Sequence, residues 1–211
     1  MRYPWLAAPA CDIADTARTL LGWRLAANGV VIRLSEVEAY SGQGADPASH
    51  AHRGPTDRNA VMFGPAGFVY VYLVYGMYEC ANIVCGEAGQ AAAVLLRAGA
   101  VIDGLEVARQ RRSAARTDAD LARGPAKLVQ ALGIDRGANG TSAVDGLGPL
   151  TMLPPLDAVP ADLVAAGPRV GVAAAHDVPW RFWITGDPTV STYRRHATRR
   201  TSRPPLLKEP S

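Results

Sequence analysis

Glu38 and Arg97 are the two residues of this chain best suited to chemistry. A carboxylate with a guanidinium beside it can accept a proton from water and stay ionised until it does, as general-base work requires. Tyr40, His50 and Tyr72 supply flat rings for a pocket around that pair, into which a planar cationic or π-rich ligand would stack. A second set, His50-x-His52 with Cys80-x4-Cys85, offers zinc ligands. Its spacing is poor, because structural zinc sites use close cysteine pairs and wider histidine spacing. Cys80 and Cys85 also differ by an odd number, so on one continuous strand they face opposite sides. The reading is therefore of a site without metal or other cofactor. No His-Glu-x-x-His, phosphate-binding Gly-Lys-Ser/Thr loop, Gly-x-Ser-x-Gly or dinucleotide fingerprint occurs.

The elements that must position these residues follow from period and punctuation. Gly29 to Tyr40 alternates as a strand, with Val30, Ile32, Leu34, Glu36, Glu38 and Tyr40 on one face and Val31, Arg33, Ser35, Val37 and Ala39 on the other. On that reading Glu38 shares a face with three aliphatics. Residues 41–67 are rich in Gly and Pro around Ser49 to Asn59, predicting a long functional loop with little secondary structure. Phe68 to Tyr78 carries four of the seven tyrosines and reads as a hairpin with a glycine turn. As a core hairpin it needs no function. If the ligand is a nucleobase, Tyr75 at the turn offers a rigid wedge to fill the vacated stack. Val94 to Arg97 predicts a strand with Leu95 and Arg97 on one face. Helices are expected at Asp15–Gly22, at Gly104–Ala115 and from Arg123 to Leu132, where Pro125 suits a first turn. Backbone N–H groups there, with Lys127, could contact phosphate. Gly133 to Pro168 should be extended, and Arg169–Val172 and Trp180–Ile184 read as two last short strands.

Composition bounds the class. The chain has 211 residues, 48% hydrophobic and 19% charged, enough for one full core. The net charge of +3 is unevenly placed: from Ser191 onward six basic residues, including Arg194 and Arg195, meet one glutamate, leaving the preceding 190 residues at −2. That arginine-rich, proline-containing tail could track a polyanion or simply be solvated. Three cysteines form no disulfide framework, and neither a signal peptide nor an apolar run of membrane-spanning length is present. The expectation is a cytoplasmic protein, nucleoid-associated if bacterial, with no membrane partner.

Glu36–Tyr40, Ala48–Phe63, Tyr70–Tyr78, Val94–Ala98, Arg123–Leu128 and Gly167–Val172 closely resemble the alkyladenine (3-methyladenine) DNA glycosylase family, in family order over most of the chain. The resemblance implies a monofunctional base-excision repair enzyme acting as a monomer on double-stranded DNA containing damaged purines. By that likeness Glu38 is the general base activating water against the sugar C1′. Arg97 and the backbone carbonyl of Val170 help hold the water. Tyr40, His50 and Tyr72 enclose the flipped base, Asn82 disfavours the guanine 2-amino group, and Tyr75 is the minor-groove wedge. No lysine aligns with the pocket, which disfavours a Schiff-base mechanism. Lys127, Arg194 and Arg195 are possible phosphate contacts. The implied fold is a single mixed α+β domain over residues 1–191, a curved antiparallel sheet with peripheral helices; the flexible basic tail over 192–211 is read from composition and extends beyond the family pattern. A non-catalytic nucleic-acid-binding module and a small-molecule hydrolase are the rival readings. The first leaves the Glu38–Arg97 pair without a use, and the second leaves Tyr75 and the tail unexplained.

Overall fold

The structure, a computed structural model, describes residues 2–196; most of the basic tail, residues 197–211, lies outside them. The described chain runs α1 (Ile13–Thr19), β1 (Arg24–Ala27), β2 (Val30–Tyr40), β3 (Val69–Val74), β4 (Tyr78–Cys85), β5 (Ala92–Asp103), α2 (Leu105–Arg111), α3 (Pro125–Leu132), β6 (Thr151–Leu153), β7 (Val164–Gly167) and β8 (Arg181–Ile184). All strands join one open antiparallel sheet in the order β3-β4-β5-β2-β1-β6. β8 adds to β2 beyond the end of β1, and β7 adds to β8. This is the α+β architecture expected from sequence. None of the described helices is long and apolar enough to cross a membrane.

Side-chain alternation sorts the sheet into two faces. Val69 and Val71 of β3, Ala81, Ile83 and Cys85 of β4, and Ala92, Val94 and Leu96 of β5 enter the main core with Ile13, Ala17, Leu128 and Leu132 of the helices. The intervening residues face the other way. There Tyr70, Val84 and Ala93 join Ala51 and Met62 of the long 41–67 loop in a second, smaller apolar cluster. That burial fixes a loop whose only regular element is one short turn of 3₁₀ helix, Ala60–Phe63.

β2 departs from simple alternation, and the departure decides where the carboxylates point. Val30, Ile32 and Leu34 are in the main core, but so are Val37 and Ala39. The register with β5 explains the change of parity. Leu34 pairs with Gly99 and Glu36 with Ala98, so Ser35 is an extra residue on β2. Glu36 then pairs with Ala98 and Val37 with Leu96, so Arg97 is an extra residue on β5. Such bulges re-aim side chains. Glu38 therefore does not share a face with Val30, Ile32 and Leu34 as strict alternation predicts; Glu36, Glu38 and Tyr40 look into the opposite face.

Three other expectations are corrected. Arg169–Val172 is not a strand: the penultimate strand is β7, and Pro168, which has no N–H to donate, ends it. Gly171 follows at φ +71°, outside the strand region. The stretch 133–168 is mostly irregular, with short 3₁₀ turns at Arg136–Ala138 and Ala161–Leu163 and with β6 and β7 as its only strands. The helices are shorter than expected at α1 and α2. α3 begins at Pro125 and closes on Gly133, whose left-handed φ of +65° lets its N–H return to the last turn.

Candidate active site

On the face away from the main core, a cleft of about 650 Å³ runs between β3–β4, the ends of β2 and β5, the 170–174 loop and the start of α3. Glu38, Tyr40, His50, Tyr72, Asn82, Arg97, Val170 and Tyr75 all line it. Sequence reasoning named each of them, and the fold brings them together.

The polar wall centres on Glu38, which is fully buried. Its Oε1 accepts the Val170 backbone N–H at 2.7 Å, and its Oε2 accepts the Tyr40 hydroxyl at 2.9 Å. Arg97 Nη1 stands 3.4 Å from Oε1. Val170 thus meets Glu38 through its amide, the carbonyl being the atom that the sequence reading assigns to the water. Arg97 is buried, which works against its charge, but Glu38 and then Glu36 outweigh this and raise its pKa. Burial, followed by the Glu38 charge, holds the Tyr40 phenol well above its ordinary value, so it donates to the carboxylate.

The other wall is aromatic. Tyr70 and Tyr72 stack at 5.5 Å with their planes 25° apart, and His50 stands edge-on to Tyr72 at 4.5 Å. Tyr70 lies 3.1 Å from His50 Nδ1 through its hydroxyl. Partial loss of hydration in the cleft, and then the Arg58 charge, lower the His50 pKa. A neutral imidazole accepting the Tyr70 hydroxyl at Nδ1 carries its proton on Nε2. Asn82, opposite Tyr70 on β4, donates to the Tyr70 carbonyl at 3.1 Å and is buried in the cleft floor. Beside it Cys80 is pushed up to about 11 by burial, an effect that Arg97 partly offsets, so its thiol stays protonated. Cys85 is in the opposite core, as strand parity predicts. Among the described residues no group of three or more His, Cys, Asp or Glu is gathered as for a metal ion.

Tyr75 is the hairpin tip at 88% exposure, beside the exposed Met77. Tyr75 and Gly76 have φ of +53° and +72°, and the Met77 N–H closes the turn on the Val74 carbonyl at 3.2 Å. Two successive positive φ values are what a tight type I′ hairpin turn demands.

Lys127 is a correction. Sequence reading expects no lysine at the pocket, yet Lys127 lines the cleft with Arg123 and Gly124, its Nζ 2.5 Å from Asp120. Arg194 and Arg195 are exposed, and the Arg194 carbonyl accepts the Gly171 N–H at 3.1 Å, beside the cleft loop.

Four supporting side chains were missed. Asp46 and Arg169, both buried, form a two-fold ion pair with contacts of 2.6 and 2.8 Å. Arg169 also donates to the Ala39 carbonyl at 3.0 Å and lies over the Tyr40 ring at 4.6 Å. Glu36 and Arg181, also buried, pair at 2.6 Å behind Arg97. Glu36 has the parity of Glu38, a signal that was available; Asp46 is in an aperiodic loop that gave none.

Taken together, the cleft can hold a flat ligand between rings and present a carboxylate with a lone pair to spare for water. Against known proteins, the profile of the family described as methylpurine-DNA glycosylase matches residues 8–188. A Nocardia farcinica protein provisionally named 3-methyladenine DNA glycosylase is 55% identical over 188 residues, 87% of this chain and 88% of its own length. A Streptomyces avermitilis protein of the same provisional name is 52% identical over 93% of this chain and 92% of its own. One from Rhodococcus jostii is 47% identical over 86% and 81% respectively.

Proposed function

The chain belongs to the methylpurine-DNA glycosylase family, and from that premise we propose that it flips alkylated or deaminated purines out of duplex DNA into the cleft and hydrolyses their N-glycosidic bonds. The substrates are 3-methyladenine, 7-methylguanine, ethenoadenine and hypoxanthine. The protein works as a monomer on the chromosome, in the nucleoid of a bacterial cytoplasm. The single observation that carries this reading is Glu38, fixed by Val170 and Tyr40 on one wall of a cleft whose other wall is Tyr70, Tyr72 and His50.

In the reaction, Tyr75 enters the duplex and fills the stack that the damaged base leaves. Extrusion costs a few kcal/mol and least for a damaged or mispaired base, so part of the selectivity lies in the DNA. The base stacks against Tyr72 and His50, with Asn82 beneath its edge. A purine alkylated at N3 or N7 carries positive charge and is already a good leaving group. Water bound at Glu38 attacks C1′, the C1′–N bond breaks, and its electron pair neutralises the departing purine. The water proton passes to Glu38, and the anionic carboxylate stabilises the cationic sugar on the way. For these cationic lesions the products are a neutral free base and an abasic site; ethenoadenine and hypoxanthine, which start neutral, must also gain a proton as they leave.

The test is incubation of the protein with methylated DNA and with duplexes carrying one hypoxanthine or ethenoadenine, in excess EDTA. Base release by the wild type, with Glu38→Gln still binding the duplex but inactive, is the expected result. Binding without release from any substrate would leave a DNA-binding module in place of an enzyme.

A further inference from the structure

Glu36 is a fully buried carboxylate that the reaction above does not use. It accepts four hydrogen bonds, against two for Glu38. Its Oε1 accepts Arg97 Nε at 2.8 Å, Arg181 Nε at 2.6 Å and the Ser191 hydroxyl at 3.0 Å. Its Oε2 accepts the Ser191 backbone N–H at 2.7 Å. Ser191 Oγ in turn accepts Arg97 Nη2 at 3.2 Å, and the Ser191 carbonyl accepts Arg181 Nη2 at 2.9 Å. Two of the three Arg97 nitrogens are therefore held by Glu36 and Ser191. Only Nη1 is left for Glu38, at 3.4 Å.

We propose that Glu36, with Arg181 and Ser191, is a positioning group that holds Arg97 off Glu38, so that Glu38 keeps an oxygen lone pair for water. The inference rests on the glycosylase reading of Glu38. An arginine free to choose forms two parallel hydrogen bonds with a carboxylate, at about 2.7–2.9 Å. On Glu38 that arrangement would compete directly with water. Glu38 has about four lone-pair sites. Val170 takes one of Oε1, which Arg97 Nη1 faces at 3.4 Å without a hydrogen bond, and Tyr40 takes one of Oε2, so the second lone pair of Oε2 stays free for water. Arg97 can be restrained this way because it is the extra residue of the β5 bulge, between the Glu36–Ala98 and Val37–Leu96 pairs. Arg181 supplies the second positive charge, so Glu36 is neutralised without giving up its hold on Arg97.

The experiment compares wild type, Glu36→Gln, the charge-balanced double variant Glu36→Gln/Arg181→Gln, and Ser191→Ala. Single-turnover excision of hypoxanthine, affinity for the damaged duplex and thermal unfolding are measured for each. Glu36→Gln is expected to slow the chemical step by on the order of 10- to 100-fold, the cost of a small misplacement at the reacting centre, with duplex affinity unchanged. The double variant should recover unfolding temperature but not rate. Ser191→Ala, which keeps every charge, should slow the step less than Glu36→Gln while unfolding as the wild type does. Recovery of rate together with stability in the double variant would overturn the proposal, because Glu36 would then serve only to neutralise Arg181. So would an unchanged rate in Glu36→Gln or in Ser191→Ala. A crystal structure of the Glu36→Gln protein gives a readout independent of turnover. Arg97 should swing onto both oxygens of Glu38, and an unmoved Arg97 would refute the positioning role. If the wild type releases no base, the glycosylase reading fails, and this structure alone still decides where Arg97 is held.

Discussion

Arg169 meets Asp46 through two parallel hydrogen bonds, of 2.6 and 2.8 Å, with both side chains buried and a separation of 123 positions in sequence. The pair joins the 41–67 loop, which carries His50, to the loop that carries Val170. Its removal should therefore cost stability and geometry together. Asp46→Asn leaves a buried guanidinium without its counter-charge, a change that costs about 3–5 kcal/mol. Chemical denaturation of Asp46→Asn measures this. The double variant Asp46→Leu/Arg169→Met, which removes both charges, should be closer to wild type in stability while still excising slowly, because Arg169 also holds the Ala39 carbonyl next to Tyr40. A single variant as stable as the wild type would remove the ion pair from the account.

Tyr75 is strained and exposed at once. A bulky residue at φ +53° is an outlier that costs about 1–3 kcal/mol, and at 88% exposure it gains no burial in return. Tyr75→Gly should relieve the backbone and leave the protein as stable or more so, yet excise poorly from duplex DNA. Excision from a single-stranded substrate, where no stack has to be filled, should fall much less. Equal losses on both substrates would count against the wedge.

How far the sequence revealed this site is seen by comparing Glu38 with Tyr72. Tyr72 was placed correctly because β3 alternates regularly, so parity alone put Tyr70 and Tyr72 on one face. Parity put Glu38 among core aliphatics, and the structure puts it on the other face because Ser35 and Arg97 are bulged residues. A bulge is a property of two strands together, and it leaves no mark in the period of either one. Asp46 and Arg169 were illegible for a related reason: their pairing depends on two aperiodic loops meeting in space. Residue chemistry singled out Glu38 and Arg97, and motif resemblance supplied Val170, whose N–H the structure shows at Glu38. For the tail beyond residue 196 only composition speaks.

His50 gives the site a pH dependence with a defined sign. Its folded-state pKa lies below the unfolded value of 6.5, from lost hydration and from Arg58. The folded protein therefore binds fewer protons than the unfolded one in that window. The stability contributed by neutral His50 is complete above pH 6.5 and is lost as pH falls through that value toward the folded pKa. Protonation also sets a positive charge beside a cationic lesion. Between the two pKa values and below, excision of 3-methyladenine should decline more steeply than excision of hypoxanthine, which is neutral. His50→Gln should bring the two acid profiles together. Parallel profiles in the wild type would show that the imidazole does not sense the charge of the base.

Lys127 tests whether the reaction stops at hydrolysis. An amine at a cleft could attack C1′ itself and leave a Schiff base, which borohydride would reduce to a stable protein–DNA adduct. Here Nζ lies 2.5 Å from Asp120 Oδ1, at the α3 end of the cleft, with both side chains about one-third exposed. A protonated amine held by a carboxylate has no free lone pair, and Glu38 with its water is the competing nucleophile. Borohydride during turnover should therefore trap no adduct, and Lys127→Met should excise with an unchanged chemical step and weaker, less salt-sensitive binding if the ammonium meets phosphate. An adduct in the wild type that disappears in Lys127→Met would make the enzyme bifunctional and move the nucleophile from Glu38's water to the lysine.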